Sequence, residues 1–153
     1  MSGTVDAKLA ALGIVIPAAT APAANYVPTV TSGNLLWISG QISVADGKFM
    51  AGKLNSEADI EAGRAAARQC GINLIAQMKA ALGDLDRVKR VVKLVGFVNS
   101  APDFTDQPKV VNGASDLFVE VFGDAGRHAR SAVGVAALPF NVSVEVEAVV
   151  EFA

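Results

Sequence analysis

The chain reads as an α+β domain in which two helices pack on one face of a mixed β-sheet. Three observations predict this. Ile60 to Leu82 and Val110 to Phe122 carry apolar residues at helical spacing. The stretches around them alternate as strands do, in the order two or three strands, helix, strand, helix, two strands. The last strand, Val142 to Phe152, sets Val142, Val144, Val146, Ala148, Val150 and Phe152 on one wholly apolar face, suited to packing beneath helices.

At 153 residues the chain suits one compact body. We divide it into an N-terminal extension, 1–24, and a main domain, 25–153. In the extension, Val5 to Leu12 can form a short helix, ended by Ile14-Val15-Ile16-Pro17, and Ala18 to Ala24 is an Ala/Pro linker. A secretory leader is rejected: the start lacks net positive charge, and Gly13 and Pro17 break the apolar run. The expected location is the cytoplasm.

Tyr26 to Thr31 and Asn34 to Ser39 read as strands joined by the turn signal Ser32-Gly33. Ser39-Gly40 ends the second, and glycine there permits close approach to a ligand. Gln41 to Val44, Asp46-Gly47 and Lys48 to Met50 read as a further hairpin. On the first long helix, Ile60, Ala67, Leu74, Ile75, Met78 and Leu82 form the apolar stripe. Gly71 suggests a close helix-on-sheet contact, and Gly83 a C-cap. Arg90 to Asn99 is a strand, Asp103 to Lys109 a polar loop. The second long helix follows, and Gly123 and Gly126 end it.

Composition excludes several functions. Hydrophobic residues make up 52% of the chain, and mean hydropathy is +0.40. No apolar run reaches the ~18 residues of a membrane span, so the surplus points to subunit interfaces and an obligate oligomer. A net charge of −2 without a basic stripe argues against nucleic acid, and 6% aromatics against a base-stacking platform. One cysteine, Cys70, excludes an internal disulfide. With one histidine, His128, it leaves no zinc constellation, so no metal is expected. Cys70 reads as a buried thiol and Trp37 as core or interface. His128 reads as a loop residue flanking the following strand rather than a general base, with its nearness to Arg130 keeping it a minor candidate.

The chemistry concentrates in the strand from Arg127 to Pro139. Arg130, Ala132, Gly134 and Ala136 share one face: a guanidinium followed by three positions with almost no side chain. Ser131, Val133, Val135 and Ala137 read as an ordinary core face. A guanidinium beside a hollow suits a small planar carboxylate. By spacing alone the commoner reading is a strand-end arginine snorkelling to solvent. On the last strand Glu145 and Glu147 lie among valines and need partners, water or a catalytic task. Arg130 and the glutamates are expected together on the sheet face away from the helices. The turn at Pro139 to Asn141 does not bring Arg130 opposite Glu145, so they are expected to meet across a subunit boundary.

Ala129-Arg130-Ser131-Ala132-Val133, Leu138-Pro139 and Val144-Glu145-Val146-Glu147-Ala148 resemble the C-terminal signature of the RidA/YjgF family of reactive enamine/imine deaminases. Asn25-Tyr26, Ser32-Gly33-Asn34 and Ile38-Ser39-Gly40-Gln41-Ile42 resemble its N-terminal signature, and Val95-Gly96-Phe97-Val98 with Asp103-Phe104 its middle. The likeness covers about residues 20 to 152, in the family's order, and the longer chain suggests a separate branch. The resemblance implies a chorismate-mutase-like (YjgF) fold and a homotrimer with ligand sites between subunits. It implies cofactor-independent hydrolysis of 2-enamine or 2-imine carboxylic acids, such as 2-iminopropionate, to 2-oxo acids and ammonia. It places Arg130 and Glu145 as catalytic residues, and Tyr26, Gly40, Asn112, Arg130 and Ala132 around the substrate. Two positions depart from the pattern: Ala132 stands where deaminating members often have cysteine, and Ser115 where some have tyrosine. The alternative is a non-catalytic homotrimer that binds small carboxylates or regulates through them.

Overall fold

The computed structural model describes residues 3–22 and 24–153; Met1, Ser2 and Ala23, which fall in the expected extension and its linker, lie outside them. The helices and strands follow in the order α1 (Thr4–Ala11), β1 (Thr29–Ser32), β2 (Leu35–Ile42), β3 (Val44–Ala45), β4 (Lys48–Phe49), α2 (Ile60–Leu82), β5 (Val88–Asn99), α3 (Gln107–Phe122), β6 (Ala129–Val135) and β7 (Val144–Phe152). The main sheet has the order β1-β2-β7-β5-β6, and β3-β4 is a separate hairpin. All neighbours in the main sheet are antiparallel except β5 and β6, which run parallel. The fold is thus α+β, a mixed sheet carrying two long helices.

The divided pattern of β7 holds. Val144, Val146, Ala148 and Val150 are buried beneath α2 and α3, where they meet Leu74, Ile75, Met78, Leu117 and Phe118 in one core. Burying a side chain of this size contributes about 1.5–3 kcal/mol. Capping residues set the helix ends. Before α2, the Asp59 carboxylate accepts from the Asn55 and Ser56 amides, and after it Gly83, at φ +79, donates to Lys79.

Several boundaries differ from expectation. Tyr26 is outside β1, because Pro28 has no N–H to give a ladder. Ser39-Gly40 does not end β2; the strand runs on to Ile42 through a bulge with one extra residue, Ile38 pairing with Ala148 and Gln41 with Val146. The expected loop 103–109 is partly helix: α3 starts at Gln107, since proline in a first turn costs no hydrogen bond. Gly71 faces the other helix rather than the sheet; a Cβ there would come 2.8 Å from Leu117 Cδ2.

The larger correction concerns β6. Arg130, Ala132 and Gly134 pair with Leu94, Gly96 and Val98, the buried, helix-facing positions of β5. Arg130 therefore lies on the helix side, while Glu145 and Glu147, paired with Phe97 and Val95, lie on the open side. The face expected to be core is the open one: Ser131 is exposed and Val133 is 44% exposed.

The extension is docked rather than trailing. Asp86 accepts from the first amides of α1, Thr4 (2.8 Å) and Val5 (2.9 Å). These two bonds hold its carboxyl below the usual range. Leu9 enters the core, Asp6 pairs with Lys79 at 3.0 Å, and Gln77 donates to the Thr20 carbonyl.

Candidate active site

The crossover from β5 through α3 to the parallel strand β6 lays α3 across the helix side of Arg130. Asn112 and Ser115, three apart on α3, share the face that meets it. Arg130 Nη1 donates to Asn112 Oδ1 (2.8 Å) and to Ser115 Oγ (3.1 Å), and Nη2 donates to the Pro108 carbonyl (3.2 Å). A guanidinium has five N–H donors. These bonds use three, and Nε–H with one Nη2–H remain for a ligand among the described residues. The hydrogen bonds aim the arginine, so the snorkelling reading does not describe it. Asn112 is an orienting partner rather than a solvent-facing amide.

The hollow inferred beside Arg130 is smaller than its small residues suggest. A Cβ on Gly134 would come 2.6 Å from both Gln107 Nε2 and Ser100 Oγ, so these side chains fill that space. Ala132 packs against the core, half-buried. On the other side stands His128, a minor candidate in the sequence whose contact with Ser115 sequence reasoning did not foresee. Ser115 Oγ lies 2.9 Å from His128 Nε2, and His128 Nδ1 lies 2.6 Å from the Gly126 carbonyl oxygen. The signal was present: Asn112 and Ser115 at helical spacing, and His128 two residues before Arg130.

A second cluster forms at the β2 bulge. The Glu145 carboxyl carbon is 3.0 Å from where a Gly40 Cβ would stand, so a side chain there would press on that carboxylate and make it shift. Half-buried, Glu145 has its carboxyl raised above the usual range, by burial first and by Glu147 second. Ser39 donates from Oγ to the Val27 carbonyl and from its amide to the Pro28 carbonyl, both at 2.8 Å, which ties the segment holding Tyr26 to the bulge. Tyr26 itself is 54% exposed. The open sheet face continues from here as a concavity of about 290 Å³, lined in part by Val30, Trp37, Lys93, Val95 and Glu147. Trp37, 51% exposed, is a surface residue of this face, not core.

Within one chain the two clusters do not meet. Arg130 and Glu145 sit two strands apart, ~10 Å in the hydrogen-bonding direction, and on opposite faces of the sheet. Cys70 is fully buried, with its thiol directed at the Val144 carbonyl and its pKa raised by burial. No group of three or more His, Cys, Asp or Glu among the described residues has metal-binding geometry, and no described helix is long and apolar enough to cross a membrane.

A mixed five-stranded sheet with its edge strand β6 parallel to β5 and two long helices on one face is the YjgF/chorismate-mutase-like kind of α+β fold. The chain belongs to the YjgF/RidA family: the family model described as "YjgF/chorismate_mutase-like, putative endoribonuclease" matches residues 6–152. It is 59% identical to Protein TCP17 of Trypanosoma cruzi, over 98% of this chain and 95% of that one. It is 31% identical to the 2-iminobutanoate/2-iminopropanoate deaminase of Dermatophagoides farinae, over 90% and 93%. Among solved structures it is similar to protein Atu1372 of Agrobacterium tumefaciens, with 48% identity, TM-score 0.89 and coverage of 97% and 92%. It is also similar to E. coli TdcF with bound serine, with 26% identity, TM-score 0.63 and coverage of 88% and 94%.

Proposed function

We propose that the protein is a cofactor-independent deaminase that hydrolyses 2-enamine and 2-imine carboxylic acids to 2-oxo acids and ammonia. The observation that carries this reading is the Arg130 guanidinium, oriented by Asn112, Ser115 and Pro108 with donors to spare. It grips the substrate carboxylate, each charge-assisted bond contributing about 1.5–3 kcal/mol net. Glu145, with Gly40 and Tyr26, supplies the other half of the site. Its raised pKa makes it a better proton acceptor than an ordinary carboxylate, suited to orienting and deprotonating the attacking water. An imine carbon is already electrophilic, so neither metal nor cofactor is called on.

Because the halves lie on opposite faces of one sheet, the site is completed between subunits: the Arg130 cluster of one faces the Glu145 cluster of the next. The exposed Trp37, Val30 and Val133 supply apolar contact area for a homotrimer. The family relationship to an imine deaminase and to a protein solved with serine supports a small amino-acid-like ligand. The net charge of −2 favours this over a nucleic-acid substrate, and the cytoplasm is the location we assign.

The test is ammonia release from freshly generated 2-iminopropionate, with pyruvate binding followed by calorimetry. We expect accelerated hydrolysis and measurable pyruvate affinity. Pyruvate binding without imine hydrolysis would make the protein a small-carboxylate-binding or regulatory trimer.

A further inference from the structure

The extra residue in β2 turns the side chain of Gln41 to the helix side of the sheet. Ile38 and Gln41 pair with Ala148 and Val146, two buried positions on the apolar face of β7. A primary amide is thereby set among aliphatic side chains at 9% exposure. Burying an amide is costly unless its hydrogen-bonding groups are used. Gln41 Nε2 donates to the Ser39 carbonyl at 3.0 Å, but Oε1 meets Gln77 Nε2 only at 3.5 Å. Gln77 gives its shorter bond, 3.0 Å, to the Thr20 carbonyl. One Nε2–H and an Oε1 lone pair of Gln41 stay open among the described residues.

Gln41 lines a cavity of about 680 Å³ between α2, the β3-β4 hairpin and the segment that follows α1. That segment crosses α2 pinned near its two ends. The Ile14 amide donates to the Leu9 carbonyl at 2.9 Å, and Thr20 is held by Gln77. Ile14, Val15 and Pro17 form an apolar wall on one side, and Ile72 and Ala76 of α2 with Val44 of the hairpin form the other. Gln69 is a second amide of the lining. Its Nε2 donates to Asn73 Oδ1 at 3.1 Å, while Asn73 Nδ2 donates to the Ile42 and Val44 carbonyls. Asn73 is thus committed to the protein, whereas Gln69, half-buried, keeps one N–H and its carbonyl oxygen, as Gln41 does.

We propose that this cavity is a second binding site, one that takes a neutral carboxamide with a short aliphatic body. Its volume and its mostly apolar walls with a few placed polar groups are those of a small-molecule site. The charges select against ionic ligands. Arg68, the cation of the lining, is paired with Glu120 at 3.3 Å, and Asp46 stands exposed at the hairpin turn. A carboxylate would lose its water without gaining an unpaired cation, and an ammonium would find its counter-ion only at the wet rim. A carboxamide carries both a carbonyl and N–H groups, which match the donors and acceptors left on Gln41 and Gln69. The site lies at β2, two strands away from Arg130 on β6, and it stands independently of the deaminase reading.

The probe is hexanamide, with hexanoate and hexylamine as charged analogues of similar length, titrated into the full chain and followed by proton–nitrogen and methyl NMR. Hexanamide should give saturable shifts at the side-chain amides of Gln41 and Gln69 and at the methyls of Ile14 and Ile72. A ligand of this size should bind with Kd of about a millimolar or tighter. Hexanoate and hexylamine should bind at least about tenfold more weakly. Gln69→Leu keeps the bulk and removes both polar groups; it should weaken hexanamide about tenfold while the rest of the spectrum stays that of the folded protein. The proposal is overturned on wild type alone by the absence of saturable shifts, by equal binding of the three probes, or by shifts that map to the open face around Trp37 instead. Undiminished hexanamide affinity in Gln69→Leu overturns it as well.

Discussion

The two clusters differ in how finished they are. Around Arg130 each polar group named has a partner from α3 or the turn after it, and the guanidinium is aimed before any ligand arrives. Around Glu145 the carboxylate rests on Gly40 beside a like-charged neighbour, next to exposed tyrosine, tryptophan and valines. The crossover accounts for this contrast. A parallel β5-α3-β6 unit puts a helix over one face of the sheet, and nothing among the described residues covers the other face. Positioning is complete at the Arg130 cluster; in the proposed homotrimer, desolvation of the second half comes from another copy.

The comparison is broken most severely at the finished cluster. Arg130→Ala should abolish both imine hydrolysis and pyruvate binding, and Arg130→Lys should not rescue either, since an ammonium cannot reproduce the planar two-bond grip. Calorimetry and ammonia release on both variants check this; full activity in Arg130→Ala would end the carboxylate-grip model.

At the unfinished cluster Glu145→Gln keeps the shape and loses the base. Hydrolysis should drop ~10²–10⁴-fold while pyruvate affinity holds. The same residue sets a pH dependence. Its carboxyl is raised above the usual range, so as a base it loses activity as pH falls through that raised value, at milder acidity than an ordinary glutamate would. A limb at the ordinary carboxylate position would show that Glu145 titrates elsewhere or does not act.

Trp37→Glu places a charge on the open sheet face without touching the core. Sedimentation should show dissociation of the proposed trimer, with circular dichroism unchanged and activity lost with assembly. An active monomer would mean that each chain completes its own site.

The smallest effect is expected far from both clusters. Asp86→Asn weakens the cap on α1 and should lower Tm slightly, leaving deaminase activity intact. Because the folded-state pKa of Asp86 is depressed, its stabilising contribution is present above the unfolded value and fades as pH falls through the folded one. Thermal melts of both forms across acid pH measure this; coincident curves would mean the extension is held by Leu9 and the Asp6–Lys79 pair instead.

Element type and order were legible in the sequence because period 3.6 and period 2 are local properties of a chain. The apolar face of β7 identified its own inner side, since every second residue is valine, alanine or phenylalanine. The glycine at position 40 marked a close approach, although the approaching group proved to be the Glu145 side chain. What the sequence could not reveal was the phase of β6. Its two faces, Arg130-Ala132-Gly134 and Ser131-Val133-Val135, differ in hydrophobicity in the wrong sense: the valine face is the open one, and the face with the guanidinium lies beneath a helix. Alternation orders residues within a strand but says nothing about how that strand registers against its neighbour. That was decided by the pairing of Arg130 with Leu94, a long-range contact, and with it the side of the sheet on which the guanidinium meets Asn112 and Ser115.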